Sequence, residues 1–538
     1  MQSTMQDAPL TVAALLRHGE RTYSSSEVVT LDPDGTTRRT FTETAERAAQ
    51  LAHALAALGV RHSDRVATFM WNNQAHLEAY LAVPSMGAVL HTLNIRLGAQ
   101  QLGWIVDHAE DAVVVVDADL VPLLIPAIRD SGSVRHVVVN GDAPPVLQSE
   151  LAPGVVVHDY EQLLAGRPRT YDWCEELDER CAAALCYTSG TTGDPKGVAY
   201  SHRSLYLHSL GVLAGNVYGM TERDRVLPVV PMFHANAWGL PYAAWLSGAD
   251  LLMPGPHLQA PALTAFMTEE RATISAGVPT VWNDVLRYAE SHPVDLSTVR
   301  MLVGGGSAVP VSMMRAFRDR LGVDLVQGWG MTETSPVAAV AFPPKGSDPE
   351  DEWTWRAHTG RVIAGVSCRI VDDAGAELPR DGVAVGEFQC RGPWVTGGYH
   401  KVLDSDRFED GWLRTGDVGT LDALGFMQIK DRAKDLIKSG GEWISSVTLE
   451  TALVAHPAVF EAAVIAIPDE RWQERPLAVV VWNDGAEADY DVLRRHLLDH
   501  VPRWQVPESW ATADGIPRTS VGKFDKRTMR QQYAEGSR

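Results

Sequence analysis

The run Tyr187-Thr188-Ser189-Gly190-Thr191-Thr192-Gly193-Asp194-Pro195-Lys196-Gly197 follows the apolar stretch Ala182-Ala183-Ala184-Leu185-Cys186. A strand that empties into a loop of glycines, hydroxyls and one lysine has the parts needed to wrap a phosphate. Glycine admits positive φ and close backbone approach, while N–H groups, hydroxyls and an ammonium supply donors. The loop is not a Walker A motif, which ends in Gly-Lys-Ser or Gly-Lys-Thr. A merely flexible surface loop is the competing reading, and it leaves both Pro195-Lys196 and the preceding buried strand without a reason.

Further glycine-bearing motifs follow along the chain. Gly304-Gly305-Gly306-Ser307-Ala308 ends the strand pattern MLVGGG, and Gln327-Gly328-Trp329-Gly330-Met331-Thr332-Glu333-Thr334 follows VDLV. Thr415-Gly416-Asp417, Lys430-Asp431-Arg432 and Arg518-Thr519-Ser520-Val521-Gly522-Lys523 complete the series. In kind and order these resemble the motifs of the adenylate-forming superfamily: acyl-CoA synthetases, peptide-synthetase adenylation domains and luciferases. The resemblance covers about residues 40 to 530. Within it, Pro231-Met232-Phe233-His234-Ala235-Asn236-Ala237-Trp238 and Lys438-Ser439-Gly440-Gly441-Glu442-Trp443-Ile444-Ser445 are similar to the medium- and long-chain fatty-acyl-CoA synthetases. Branches acting on aryl acids or short sulfur-containing acids share much of this wording.

The resemblance implies a reaction and a set of roles. A carboxylate is a poor electrophile, so it attacks the α-phosphate of ATP to give an acyl-adenylate and pyrophosphate, and a thiol, coenzyme A, then takes the acyl group. Charge builds on phosphate oxygens, so catalysis is expected to rest on positioning and cations. Lys523, Glu333, Thr188 and His234 are the implied catalytic residues, with Glu333 and Thr188 associated with Mg²⁺, an ion that favours one or two carboxylates plus phosphate oxygens. Around the nucleotide the resemblance places Ser189, Gly190, Thr191, Thr192, Gly193, Lys196, Gly305, Gly306, Ser307, Gln327, Gly328, Trp329, Gly330 and Thr332, with Asp417 and Arg432 on the ribose hydroxyls. Trp329 stands where tyrosine is common, which keeps an aromatic face and puts the hydroxyl's hydrogen bond in doubt. Lys438, Gly440, Gly441 and Trp443 complete the implied cofactor-binding set, with the Gly440-Gly441 loop on the thiol side, where it would let pantetheine pass close to backbone. Trp238, Val278 and Gly304 line the implied acyl pocket, with Pro279 and Trp282 beside them, and Asp431 is the implied hinge about which a small domain alternates between the two half-reactions. An aryl acid, an amine acceptor or a non-catalytic nucleotide binder are the rival functions.

These residues need a scaffold. FTETAERAAQLAHALAALGV has helical spacing, RVATFM and DAVVVVDA read as strands, and the alternation indicates parallel sheets with crossover helices. From about Gly360 the texture turns to short alternating strands with turns at Asp373-Ala374-Gly375 and Ala423-Leu424-Gly425. The last hundred or so residues mix helix (VTLETALVAH, DYDVLRRHLLDH) and strand (EAAVIAIPD, PLAVVVWND). The expected fold is α/β: an N-terminal core of parallel α/β layers over residues 1–430, with a β-rich subdomain at about 360–430, and a small mobile α+β domain over 431–538.

Bulk properties narrow the partners. At 538 residues the chain needs more than one core. A net charge of −21 argues against general nucleic-acid binding. Five cysteines without a CxxC pair suggest neither a disulfide framework nor a zinc site and fit a reducing cytoplasm. MQSTMQDAPLTVAALLRHGE lacks a cationic region ahead of its apolar run and reads as the start of a helix. Val226 to Ala249 is uncharged and long enough to raise the membrane question, but Pro228, Pro231 and Pro241 point to a buried strand, loop and helix. Related fatty-acyl synthetases suggest a homodimer, although the chain carries no heptad pattern of its own.

Overall fold

The computed structural model describes residues 1–538 except 2, 34, 144–146, 175, 189–193, 404, 441, 484, 520–522 and 537–538. One layer is a seven-stranded sheet ordered Val156–Asp159, His136–Asn140, Asp111–Asp117, Arg65–Phe69, Val89–Thr92, Ala182–Tyr187 and Gly197–Ser201. All neighbours are parallel except the last pair. Asp111–Asp117 is buried along its whole length, as expected for a parallel strand covered on both faces. The helix Phe41–Ala57 opens on a capping box, Thr40 with Glu43, which satisfies two end N–H groups.

The second sheet changes character across one strand. Glu27–Asp32, Asp250–Met253, Arg225–Pro228, Ile274–Gly277, Met301–Gly304 and Leu325–Gly330 run parallel. Beyond Leu325–Gly330 the pairing becomes antiparallel through Val337–Val340, Gly360–Val362, Phe426–Arg432, Trp412–Leu421, Gly386–Arg391 and Ser367–Val371. Antiparallel pairing therefore starts ahead of the texture change read at about Gly360. Val337-Ala338-Ala339-Val340 is buried on both faces, so it carries no polar alternation to reveal it. The turns expected at Asp373-Ala374-Gly375 and Ala423-Leu424-Gly425 are both present.

The last stretch builds a five-stranded sheet around the hairpin of Val459–Asp469 and Gln473–Trp482. Ile437, Ile444, Leu449, Leu453, Val464, Val480, Leu493 and Leu497 form a core of its own. It packs on the rest of the molecule, with the Arg287 guanidinium 4.5 Å from the Phe460 ring centre. The uncharged stretch resolves into the strand Arg225–Pro228, a short turn at Ala235–Trp238 and the helix Leu240–Ser247. Among the described residues no helix is long and apolar enough to cross a membrane.

Candidate active site

Open parallel sheets bind ligands beyond the carboxyl ends of their strands. Here Gly277, Gly304 and Gln327 stand side by side in register at those ends. Leu325–Gly330 is the strand where parallel pairing gives way to antiparallel, so residues after it can meet groups from the antiparallel part.

The strand Ala182–Tyr187 turns back as Gly197–Ser201, with Tyr187 opposite Gly197. Thr188 N–H donates to the Lys196 carbonyl at 2.9 Å, closing the neck of a hairpin loop. Return as a strand rather than entry into a helix separates this loop from a Walker A fold. Ser189, Gly190, Thr191, Thr192 and Gly193 lie outside the described residues. The Lys196 ammonium sits 5.1 Å from the Tyr399 ring centre. Tyr399 in turn donates its hydroxyl to Glu333 Oε1 at 2.7 Å. Glu333 is only 6% exposed, unlike an ordinary carboxylate after a turn. Its turn, Thr332–Thr334, is pinned by the Tyr200 hydroxyl on the Thr332 carbonyl at 2.7 Å.

Asp417 lies opposite Arg432 on the strands Trp412–Leu421 and Phe426–Arg432. Its Oδ1 meets Arg432 Nε at 2.6 Å and its Oδ2 accepts from the Trp329 indole at 3.0 Å. The indole thus supplies a polar contact of its own where a tyrosine hydroxyl is absent. Gln327 spends both ends of its amide on the wall, accepting from Val309 N–H at 2.5 Å and donating to the His358 carbonyl at 2.9 Å. Gly328 and Gly330 flank Trp329 half-buried, and Ser307 is exposed.

The glycine run has a specific reason. A Cβ on Gly305 falls 3.0 Å from the Trp238 ring and 3.1 Å from the Gly328 carbonyl oxygen. Gly306 has φ +84°, and a Cβ there falls 3.5 Å from Val278 and 3.7 Å from Lys523 Cε. A Cβ on Gly304 comes within 2.7 Å of Val309. Trp238 reaches Gly305 from a left-handed turn, with φ of 44°, 52°, 49° and 57° over Ala235–Trp238. Such backbone costs about 1–2 kcal/mol per residue. It is held by the buried Asn236, whose Oδ1 accepts from the Cys186 thiol at 3.1 Å and faces the Tyr80 hydroxyl at 3.4 Å. Burial raises the Cys186 thiol to about 11, which keeps it a donor. His234 precedes this turn, and burial, helped by Lys523 and Arg96, lowers it to about 3, so it is a neutral imidazole. Together with Thr188, Thr92 and Phe233 it lines a small enclosed cavity.

Lys523 comes from the small C-terminal unit yet lies at Gly306. Loss of solvent, with Arg432 beside it, lowers its ammonium to about 8 against the upward pull of Asp417 and Glu333. The fold therefore gathers Thr188, Lys196, Glu333, Asp417, Arg432, Trp329, Gly305, Gly306, Val278, Trp238, His234 and Lys523 around the carboxyl ends of two sheets. It places others elsewhere. Trp282 is fully buried, donates to the Val303 carbonyl and packs on Phe317, so it belongs to the core rather than to the Trp238 wall. Pro279 begins the same helix, Pro279–Ala289, and is buried. Lys438, Gly440 and Trp443 share an exposed hairpin, with the Lys438 ammonium 4.9 Å from the Trp443 ring centre; Gly441 lies outside the described residues. A larger open groove of about 460 Å³, lined by Tyr23, Tyr206, Leu213, Met220 and Leu246, holds none of the chemistry-bearing groups.

Tyr399 and Tyr200 are site residues that the sequence does not signal. Gly397-Gly398-Tyr399 carries no pattern of its own, and nothing along the chain links it to Glu333, 66 residues away.

The sequence matches the family model of the AMP-binding enzyme over residues 16–400 and that of the AMP-binding enzyme C-terminal domain over 448–523. It is 47% identical to a long-chain-fatty-acid–CoA ligase of Thermus thermophilus, covering 99% of this chain and 97% of the relative. A 3-methylmercaptopropionyl-CoA ligase of Ruegeria lacuscaerulensis is 42% identical, over 99% of each chain. A medium-chain-fatty-acid–CoA ligase of Ectopseudomonas oleovorans is 40% identical, over 99% of this chain and 98% of the relative. In fold the molecule is similar to the crystal structure of the anthranilate CoA ligase AuaEII with anthranoyl-AMP, with a TM-score of 0.88 at 24% identity over the whole of both chains. With both family models matched in order and relatives of this identity aligned end to end, the chain belongs to the AMP-binding enzyme family.

Proposed function

We propose that this protein is an ATP-dependent acid–CoA ligase that adenylates a medium- or long-chain fatty acid and passes the acyl group to coenzyme A. The observation that carries the reading is Lys523. A lysine from the C-terminal unit lies at Gly306, in the same field as Glu333, Asp417 and Arg432. In the first step a carboxylate oxygen of the acid bonds to the α-phosphorus of ATP and the bond to the bridging oxygen breaks, releasing pyrophosphate. Lys523 stabilises the charge on the α-phosphate oxygens, and the neutral His234 orients the carboxylate. Asp417 and Arg432 hold the ribose, with Trp329 against the base.

Among the described residues no cluster of three or more His, Cys, Asp or Glu could cage a metal. Glu333, with Tyr399 on one oxygen, instead offers the single carboxylate that Mg²⁺ combines with phosphate oxygens. When bound, Mg²⁺ supplies charge neutralisation on the phosphates, and Glu333 with the Thr188 hydroxyl would hold it. In the second step the thiol sulfur bonds to the acyl carbon and AMP leaves. Lys438, Gly440, Gly441 and Trp443 are the proposed coenzyme A face, brought up by rotation at Asp431 between a core of residues 1–430 and a lid of 431–538. A cytoplasmic setting belongs to this reading, supported by five free thiols, and so does a homodimer, for which family likeness is the support.

A second reading, a short sulfur-containing acid, is favoured by the 42%-identical 3-methylmercaptopropionyl-CoA ligase. The test offers purified protein Mg-ATP with fatty, aryl and 3-(methylthio)propionic acids, with coenzyme A or amines, and follows AMP and acyl products by mass spectrometry. Fatty acyl-CoA as the main product is expected. Preference for the sulfur acid transfers the assignment to the second reading, and amide in preference to thioester overturns the acceptor.

A pH dependence follows from Lys523. As a cation lowered to about 8, it loses its proton as pH rises through that value. The kcat/KM for ATP in acid-dependent pyrophosphate exchange, which reports the free enzyme, is expected to fall about tenfold per pH unit above this point. A flat profile from pH 7 to about 10 counts against Lys523 as the titrating cation.

A further inference from the structure

Three residues after Lys523 the chain enters the helix Lys526–Ala534. Lys526 does not face solvent: its Nζ lies 2.7 Å from Glu450 Oε1 and 2.5 Å from Ser446 Oγ, and both side chains of the ion pair are nearly buried. Ser446 is the first residue of the helix Ser446–Val454 and gives both its N–H, at 2.6 Å, and its hydroxyl, at 2.5 Å, to Asp431 Oδ2. A serine hydroxyl has one proton to donate and lone pairs to accept with, so Lys526 to Ser446 to Asp431 is a directed relay of hydrogen bonds. Asp431 is 1% exposed, and the preceding serine, Ser445, donates its hydroxyl to the Lys430 carbonyl.

The tie is repeated one turn on. Arg530 reaches Asp435 at 2.5 Å. Lys526 and Arg530 are four apart on one helix face, and Asp431 and Asp435 are four apart on the connecting segment, so the contacts form two matched rungs. That segment leaves the large unit directly after Arg432, which pairs with Asp417. Glu450 also accepts from Val464 N–H at 2.7 Å, which fixes the carboxylate that Lys526 must neutralise. Two buried carboxylates thus depend on one ammonium, directly for Glu450 and through Ser446 for Asp431, and Lys526 is three residues along the chain from Lys523.

We infer that Lys526 is a positioning residue: through Ser446 and Glu450 it clamps the segment 431–435 to the helix that starts beside Lys523, so that the backbone at Asp431 and the reach of Lys523 are set together. Resting on the roles proposed above for Lys523 and Asp431, it assigns to Lys526 the adenylation half-reaction rather than both.

The test uses full-length Lys526→Met, Lys526→Arg and the charge-balanced Lys526→Met/Glu450→Gln, with Lys523→Ala as reference. Acid-dependent pyrophosphate exchange, thioester formation from supplied acyl-adenylate and coenzyme A, and thermal unfolding are measured on each. Exchange in Lys526→Met is expected to fall about tenfold or more, as a misplaced catalytic group does, with thioester formation changed less than about threefold. Lys526→Arg restores most of the exchange. The double variant regains much of the thermal stability, because Glu450 no longer leaves an unpaired buried carboxylate and Asp431 keeps its two bonds from Ser446, yet its exchange stays low. Equal losses in both half-reactions, or exchange that recovers with stability in the double variant, overturn the inference. Exchange intact in Lys523→Ala shows instead that the underlying reading of Lys523 has failed, and the inference falls with it.

Discussion

Lys523→Ala is expected to cut acid-dependent pyrophosphate exchange by about 10²–10³-fold, the usual consequence of removing one charged donor from a developing oxyanion. Thioester formation from supplied acyl-adenylate should stay within a few fold, because the group lost serves phosphate rather than thiol. The geometry makes the substitution clean. Lys523 approaches Gly306 with its Cε 3.7 Å from where a Cβ would stand, so truncation leaves a gap rather than a clash. Lys523→Arg keeps the charge but must fit a planar guanidinium into the space shared with Val278, so only partial recovery is expected. Parallel measurement of both half-reactions decides. If both fall together in Lys523→Ala, its role is not confined to adenylation, and the proposed division of labour between the two faces of the C-terminal unit is lost.

Glu333→Gln carries the second large effect, a fall of about 10²-fold in exchange together with a higher Mg²⁺ concentration for half-saturation. The amide is nearly isosteric and can still accept from Tyr399, so the loss reports charge rather than shape. Tyr399→Phe is the matching control. It removes one hydrogen bond to a charged group, worth about 1.5 kcal/mol or roughly tenfold, and leaves the carboxylate in place. A Mg²⁺ titration of exchange separates the two: the dependence shifts strongly in Glu333→Gln and weakly in Tyr399→Phe. An unchanged Mg²⁺ dependence in Glu333→Gln removes Glu333 from the metal site.

Much of the scaffold was readable in advance because local pattern and tertiary role agree. The run Asp111–Asp117 is continuously apolar between its end carboxylates and became a strand covered on both faces. Pro228, Pro231 and Pro241 ruled out one long helix, and the stretch divides as they require. Harder to read were elements whose conformation depends on distant partners. In Ala235-Asn236-Ala237-Trp238 only Asn236 tolerates left-handed backbone, and its neighbours alanine and tryptophan disfavour it, so the run does not announce a left-handed turn. The turn is fixed from other elements: the Cys186 thiol donates to Asn236 Oδ1, and the Tyr80 hydroxyl donates to the Met232 carbonyl just ahead of the turn. Trp282 reads differently in sequence and in space: four residues after Val278, it belongs to the core because its indole donates to the Val303 carbonyl and its ring packs on Phe317, partners that come from other elements.

Residue types and their order along the chain were enough to show the chemistry on offer: a loop of glycines, hydroxyls and one lysine with the donors a phosphate needs, an ordered series of glycine and charged motifs, and a lysine near the C-terminus. Short motifs are legible because backbone approach and charge are properties of residue type at close spacing. The partnerships come from tertiary structure, which sets Tyr399 on Glu333, the Trp329 indole on Asp417, Trp238 against Gly305 and Lys526 on Ser446, itself bonded to Asp431. Each joins elements that are separate in the chain, and their meeting is fixed by strand order, by the change from parallel to antiparallel pairing across Leu325–Gly330, and by the docking of the C-terminal unit, none of which short-range sequence encodes.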